Sequence, residues 1–284
     1  MGTSRRVRRS FSIALVCMVT LSAAAAAAGL TLVERSVTIK GHPPLSTSPL
    51  PAKSVTAPCP AGKHLALGGY AADFGLSPTD AEIGPLAFAR SHDGWRVRGV
   101  NAGQQAGKLT SLAWCGHRSP IDGQETKAAR VSPGESDSVT ARCPSGERVV
   151  LGGASGELLD DGAVLITAMR RTTKRSWQVR GANLQGSSSG RLTAIAYCGR
   201  SATKEVVAEA TVAPGTKAGV TARCPRGSRV RFGGFSAPFD ASDGKPGSVI
   251  GKLARGLARE WNLRAIANPS NPNAVTIRAF AYCR

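Results

Sequence analysis

The chain has 284 residues, a length for one or two domains, and a formal charge of +19 from 37 Lys and Arg against 18 Asp and Glu. Aromatic residues make up 5%, which excludes a core built mainly of large rings and leaves one of small and aliphatic side chains. A protein this basic attracts polyanions; an arginine- and alanine-rich background of the GC-rich-genome kind is the competing explanation of the same charge.

The N-terminus carries Arg5, Arg6, Arg8 and Arg9, then an uncharged run from Phe11 to Val33. Six alanines, Ala23 to Ala28, offer small-residue cleavage sites within it. This is the pattern of a secretory signal peptide over 1–28. The run is also long enough to span a bilayer, so retention as an anchor over 11–33 is the alternative. Cys17, within the run, is read as removed or inert. Cleavage removes four arginines and no acids, and the charge falls to +15. Residues 34–53, including "GHPPLSTSPLPAKS", are rich in proline and serine and predict an extended, stiff stalk.

The rest of the chain is one unit written three times. "SVTAPCPAGKHLALGG" from Ser54, "SVTARCPSGERVVLGG" from Ser138 and "GVTARCPRGSRVRFGG" from Gly219 open units at 54–118, 138–201 and 219–284. Each unit then places a tryptophan (Trp95, Trp177, Trp261), an arginine three residues on (Arg98, Arg180, Arg264) and an asparagine (Asn101, Asn183, Asn268). "LAWCG", "IAYCG" and "FAYCR" close the units. Repeat symmetry favours the pairs Cys59–Cys115, Cys143–Cys198 and Cys224–Cys283 among the many open to six cysteines. A secretory start supplies the oxidising compartment in which they persist. Each bond closes a loop that chain entropy values at about 4 kcal/mol. There is no C-x-x-C, so zinc is not expected.

Apolar and polar residues alternate through "GWRVRGVNA", "SWQVRGANL" and the closing segments, which predicts strands. Trp95 and Val97 face one side, Arg96 and Arg98 the other. Gly-Gly predicts a bulge or a close backbone approach. "VIGKLARGLARE", Val249 to Glu260, has helical spacing but aligns with strand-like segments of the other units. The predicted class is therefore all-β: three tandem, disulfide-stapled antiparallel repeats. A lone sheet cannot bury both its faces, and three in a row close a shared core around a pseudo-threefold axis.

The order C-P-x-G, G-G, W, N and a terminal C resembles a repeat domain of secreted actinobacterial proteins. It is more distantly similar to the vitelline membrane outer layer protein 1 family. The resemblance implies a β-prism of three Greek-key sheets and an extracellular structural or glycan-associated role, with no catalytic residues to carry over. The linkers 119–137 and 202–218 leave three separate beads open beside one prism.

Little catalytic chemistry is written in the chain. "GSSSG", Gly186 to Gly190, matches the hydrolase elbow in letters only: it sits between two strands, in a unit without histidine. Of the four histidines, His42 is in the stalk and His64, His92 and His117 are confined to the first unit; His92 beside Asp93 is the one pick among them. Asp73 and Asp80, Asp160 and Asp161, and Asp240 and Asp243 differ in position between units, unlike a shared calcium or glycosidase site. Arg98, Arg180 and Arg264 recur at one spacing and suit sulfate, phosphate or uronate, as a guanidinium ring or as three equivalent sites; plain solvent-facing strand arginines are the other reading. "MRRTTKR" and "RCPRGSRVR" add positive surface. No nucleic-acid motif is present. The expectation is a non-enzymatic, secreted or surface-tethered protein, without cofactor or metal, that associates with an anionic cell-wall polymer or glycan. It would meet a membrane only through an uncleaved leader. A purely structural module and a glycan-processing enzyme are the alternatives.

Overall fold

The computed structural model describes residues 29–44, 48–75, 77, 79–184, 187–238, 248–268 and 272–284. The signal-peptide reading of 1–28 therefore lies outside the described residues, as do Asp240 and Asp243. The anchor reading extended to Val33, but Thr31 to Val33 begin a strand paired with Cys115 to Ala113. No helix among the described residues is long and apolar enough to cross a membrane.

The protein is all-β. The first repeat supplies β1 (Thr31–Ile39), β2 (Ala52–Ala57), β3 (His64–Ala72), β4 (Ile83–Ser91), β5 (Gly94–Asn101) and β6 (Gly107–Gly116). The second supplies β7 (Gly123–Val131), β8 (Ser136–Arg142), β9 (Arg148–Gly156), β10 (Ala163–Thr173), β11 (Ser176–Leu184) and β12 (Gly190–Gly199). The third supplies β13 (Lys204–Val212), β14 (Lys217–Arg223), β15 (Val230–Ser236), β16 (Ser248–Arg255), β17 (Glu260–Ala267) and β18 (Val275–Cys283). "VIGKLAR" is thus strand, as its alignment required.

The stalk and both linkers need correction. β1 lies at the stalk's start, β7 within 119–137 and β13 within 202–218. Each is an edge strand paired with the closing strand of its own repeat. Charged residues crowd these strands because one face and one edge meet water, and such charges also guard the open edge.

Three six-stranded antiparallel sheets result, with orders β1-β6-β3-β16-β17-β14, β2-β5-β4-β9-β12-β7 and β13-β18-β15-β10-β11-β8. No repeat completes a sheet by itself. Its first, sixth and third strands join the fourth, fifth and second strands of another repeat, through β3–β16, β9–β4 and β15–β10. Sheet edges meet at three corners, β1 against β2, β7 against β8 and β13 against β14. This cyclic exchange makes one closed, β-prism-like body and excludes separate beads.

The paired glycines explain the joints. A Cβ on Gly68, Gly152 or Gly233 would lie 2.1, 1.9 or 2.0 Å from the ring of Trp95, Trp177 or Trp261. A Cβ on Gly69, Gly153 or Gly234 would lie 2.8, 2.6 or 2.3 Å from the carbonyl oxygen of Leu253, Phe88 or Met169, in the adjoining repeat. The first glycine thus seats its own tryptophan and the second admits the neighbouring backbone. Trp177 and Trp261 donate Nε1–H to the carbonyls of Gly153 and Gly234 at 3.1 and 3.0 Å. The closing tyrosines stitch the same joints: the Tyr197 and Tyr282 hydroxyls accept the backbone N–H of Arg90 and Arg171 at 2.6 and 2.7 Å. Burial pushes the Tyr197 hydroxyl up to about 12, so it stays a neutral partner at ordinary pH.

The disulfides are Cys59–Cys115, Cys143–Cys198 and Cys224–Cys283, each with Cα atoms 5.6 Å apart. They fit an extracellular protein. Replacing Cys143 and Cys198 together with serine is expected to lower the unfolding free energy by about 3 kcal/mol in a urea titration, since each bond restricts a long loop of the unfolded chain.

Candidate functional site

The recurrent arginines are divided one per sheet. Arg98 is on β5, Arg180 on β11 and Arg264 on β17, all strands of different sheets. Each alternates with buried neighbours, Val97, Val179 and Leu263, and so sits on an outward face. That placement gives three separate positions, not one guanidinium ring. Their settings also differ. Arg180 donates to Ser136 Oγ at 2.7 Å, Arg98 is half-buried, and Arg264 lines a large opening.

That opening is a cleft of about 740 Å³ on the outer face of the sheet shared by the first and third repeats. Gly219 and Gly251 are on its floor, with Ala218 and Ala265 beside them along the same strands, and Lys217, Lys252 and Arg264 line it. Phe74, Asp73 and Asp80 come from the β3–β4 loop of the first repeat. Strand pairing sets Arg264 between Gly219 and Lys252, so two cations are neighbours across one sheet row.

The register shows why the cleft is open here. Each fourth strand carries a bulge opposite the fifth. The bulged residue is Leu86 in the first repeat, Thr167 in the second and Gly251 in the third. At the β9–β4 joint, Leu86, Val100 and Ala163 form a separate apolar cluster with Leu50, Leu158 and Leu165. This plug occupies the place that corresponds to the cleft, since Leu158 pairs with Ala163 as Phe74 pairs with Glu82. Thr167 is buried and donates to the Arg180 carbonyl at 3.3 Å. In the third repeat the plug residue has become glycine. The next residue, alanine at 87 and 168, has become Lys252. Gly219 likewise stands where the other repeats have Ser54 and Ser138, and Lys217 where the first has Ala52. One joint has exchanged its apolar filling for space and charge.

The acids of the rim are engaged locally. Asp73 Oδ2 accepts the Lys108 N–H at 2.8 Å, and Asp80 Oδ2 accepts the Ser77 N–H at 3.1 Å. Glu82, beside them in sequence, is held above the usual carboxylate range, first by burial and then by the charge of Asp80. Asp161 bonds both the backbone and the hydroxyl of Ser187, which places Ser187 to Gly190 in the β11–β12 hairpin. The hydroxyl bond of Ser187, then its backbone N–H, holds the Asp161 carboxyl below its ordinary value.

The remaining candidates are structural. His92 is exposed in the β4–β5 turn at φ 51°. Its neighbour Asp93 pairs instead with His64, Nδ1 to Oδ1 at 3.0 Å. Asn101 is buried, donating to the carbonyls of Lys40 and Gln105 at 3.0 and 2.8 Å and accepting from Glu82 and Gly103. Asn183 repeats the two donations to Val131 and Ser188 at 3.0 and 2.9 Å. Both asparagines tie the fifth-to-sixth-strand turn to the end of the first strand. No group of three or more His, Cys, Asp or Glu that could hold a metal occurs among the described residues.

Residue-type reasoning picked Arg264 but missed Lys217, Gly251 and Lys252. The signal was present as a departure from the repeat: Gly219 for serine in the opening motif, and Gly-Lys where the other units have Leu-Ala and Thr-Ala. Compared with known proteins, the chain matches no family model and no curated protein.

Proposed function

We propose that the protein is a non-enzymatic, secreted or surface-tethered β-repeat protein that associates with anionic or glycan polymers of the cell envelope, and that the cleft beside Lys217, Lys252 and Arg264 holds them. The observation that carries this is the exchange at one joint of an apolar plug for open space and two lysines, Lys217 and Lys252, beside the arginine that all three repeats keep. Such a change gains nothing for the core, since burying leucine contributes about 2 kcal/mol that glycine forgoes. The guanidinium of Arg264 suits a carboxylate or phosphate in a two-pronged contact, and the two ammonium groups add point charges. Phe74 offers an apolar wall to a sugar face. The resemblance noted in the sequence agrees with an extracellular, glycan-associated role.

The test is binding of the purified protein to cell-wall preparations, with and without their anionic polymers, over a salt series. Retention should need the polymer and fall as salt screens the contacts. Lys217→Ala, Lys252→Ala and Arg264→Ala combined should weaken it at least about tenfold, each charge-assisted contact contributing roughly 1.5 kcal/mol or more. Arg98→Ala with Arg180→Ala should change it less than about twofold. Equal loss in both sets would favour three equivalent surface sites over the cleft, and no binding at low salt would leave a structural module. The rim aspartates are the one observation on the side of a glycan-processing enzyme; new reducing ends released from the polymer, and their loss in Asp80→Asn, would establish that reading instead.

A further inference from the structure

A second opening lies on the pseudo-threefold axis, at the other end of β3 and β6 from the cleft. There each third strand bulges against its closing strand, at Ala66, Val150 and Arg231. These three equivalent residues face one pocket of about 370 Å³. Two of them are apolar, as a crowded axis requires. The third is an arginine, and Arg118, His117 and Arg284 join it. No acidic residue lines the pocket.

The main-chain oxygen of Arg284 is taken up by the Arg229 N–H at 2.8 Å. Arg255, packed behind, is 8% exposed, and its buried Nε–H has no hydrogen-bond partner. Burial first, and then neighbouring arginines, disfavour the charge on both: Arg229 and Arg231 repel Arg255, and Arg284 and Arg229 repel Arg231. The nearby carboxylate of Glu205 faces Arg171 and Tyr282 instead. Clustered guanidinium groups repel one another, and an anion held among them relieves that repulsion. Two hydroxyls are also presented. Ser201 Oγ accepts from Arg284 Nη1 at 2.9 Å, and Thr203 Oγ1 from Arg171 Nη1 at 2.6 Å. Each acceptance leaves the hydroxyl hydrogen to donate elsewhere.

We propose that this axial pocket binds one tetrahedral oxyanion group, phosphate or sulfate, through Arg118, Arg231 and Arg284 with the hydroxyls of Ser201 and Thr203. The group is either free or borne on a larger molecule. Gly29 and Leu30 line the same pocket, so the chain enters the prism beside it. A phosphate on a lipid headgroup and one on a wall polymer are both within the chemistry. The site is independent of the cleft and stands or falls separately from it.

The repeat itself supplies the test variant. Arg231→Val places at the third bulge what the second repeat already has, so it will fold. Melting is followed in rising inorganic phosphate or sulfate against chloride at fixed ionic strength, because a ligand of the native state raises Tm in proportion to occupancy. The expected result is a saturating rise for the unaltered protein. Arg231→Val should match or exceed its Tm in chloride, having lost a repulsion, and should need at least about tenfold more phosphate for the same rise. Lys252→Ala with Arg264→Ala should respond like the unaltered protein. Retention on phosphatidylglycerol vesicles or on a phosphate-bearing wall polymer, displaced by inorganic phosphate, would identify the source. An equal phosphate response in Arg231→Val, or none beyond chloride in the unaltered protein, overturns the proposal.

Discussion

Gly152→Ala will destabilise the protein by about 3 kcal/mol or more, an effect at the upper end for one methyl group. The added carbon would sit 1.9 Å from Cε2 of Trp177. The indole has nowhere to go. It is fully buried, its Nε1–H is fixed on the Gly153 carbonyl at 3.1 Å, and Phe232 and Tyr282 pack at ring distances of 6.1 and 6.2 Å. Moving the strand instead would pull Gly153 from Phe88 and open the joint between two repeats. Gly123→Ala is the control: its Cβ would meet only a glutamate side chain at 4.0 Å, and the melting curve should not move appreciably. Trp177→Leu alone should cost a similar amount through the cavity it leaves. Combined with Gly152→Ala it should cost clearly less than the sum, because the smaller side chain makes room for the methyl. Chemical denaturation of the four variants measures this coupling; strict additivity would mean that the glycine is retained for another reason.

That close approach was legible in the sequence because it occurs three times at one spacing. The cysteine pairing, the strands around each tryptophan and the threefold closure were legible for the same reason. β1, β7 and β13 were not. "KEVVAEATV" does alternate, with Val206, Ala208, Ala210 and Val212 against Glu205 and Glu209. Its apolar side is small and its outer side charged, because an edge strand at a prism corner buries only part of one face. Such a segment resembles a linker by composition and a strand only by period. The exchange of half-sheets between repeats was also hidden. Pairing partners on different repeats leave no local mark except the second glycine, whose function appears only when the neighbouring carbonyl is in place. The cleft was missed for an opposite reason. A repeat draws attention to residues that recur, whereas Gly219, Gly251 and Lys252 are where the third unit departs from the other two. A repeat fixes the scaffold through its agreements, and a site on that scaffold is more readily found in a disagreement.

Gly251→Leu turns that contrast into the sharpest functional prediction: polymer binding should fall at least about tenfold while the fold is kept or slightly strengthened. The first repeat shows that leucine is compatible with the bulge, since Leu86 is fully buried there. Gly251 has no left-handed φ, and a Cβ would find its nearest neighbour, the Ala72 carbonyl oxygen, at 3.7 Å, an ordinary contact. Replacing a strand glycine with a residue that loses less backbone freedom contributes about 0.5–1 kcal/mol, and apolar contact with Ile266 and Phe74 adds to it. All three cations remain, so the net charge and the long-range attraction to a polyanion are unchanged. The substitution removes only the space beside them. A loss of binding with an unchanged or higher Tm would therefore place the ligand on the cleft floor. Unchanged binding would place it on the exposed basic faces, where Arg98 and Arg180 stand beside Arg264 as equivalents and the cleft has no part. Gly251→Ala should lie between the two in either case, because a single methyl narrows the floor without reaching Arg264. The melting curve and the binding isotherm of the same preparation separate these outcomes, and the charge-removal variants, which alter field and contacts together, do not.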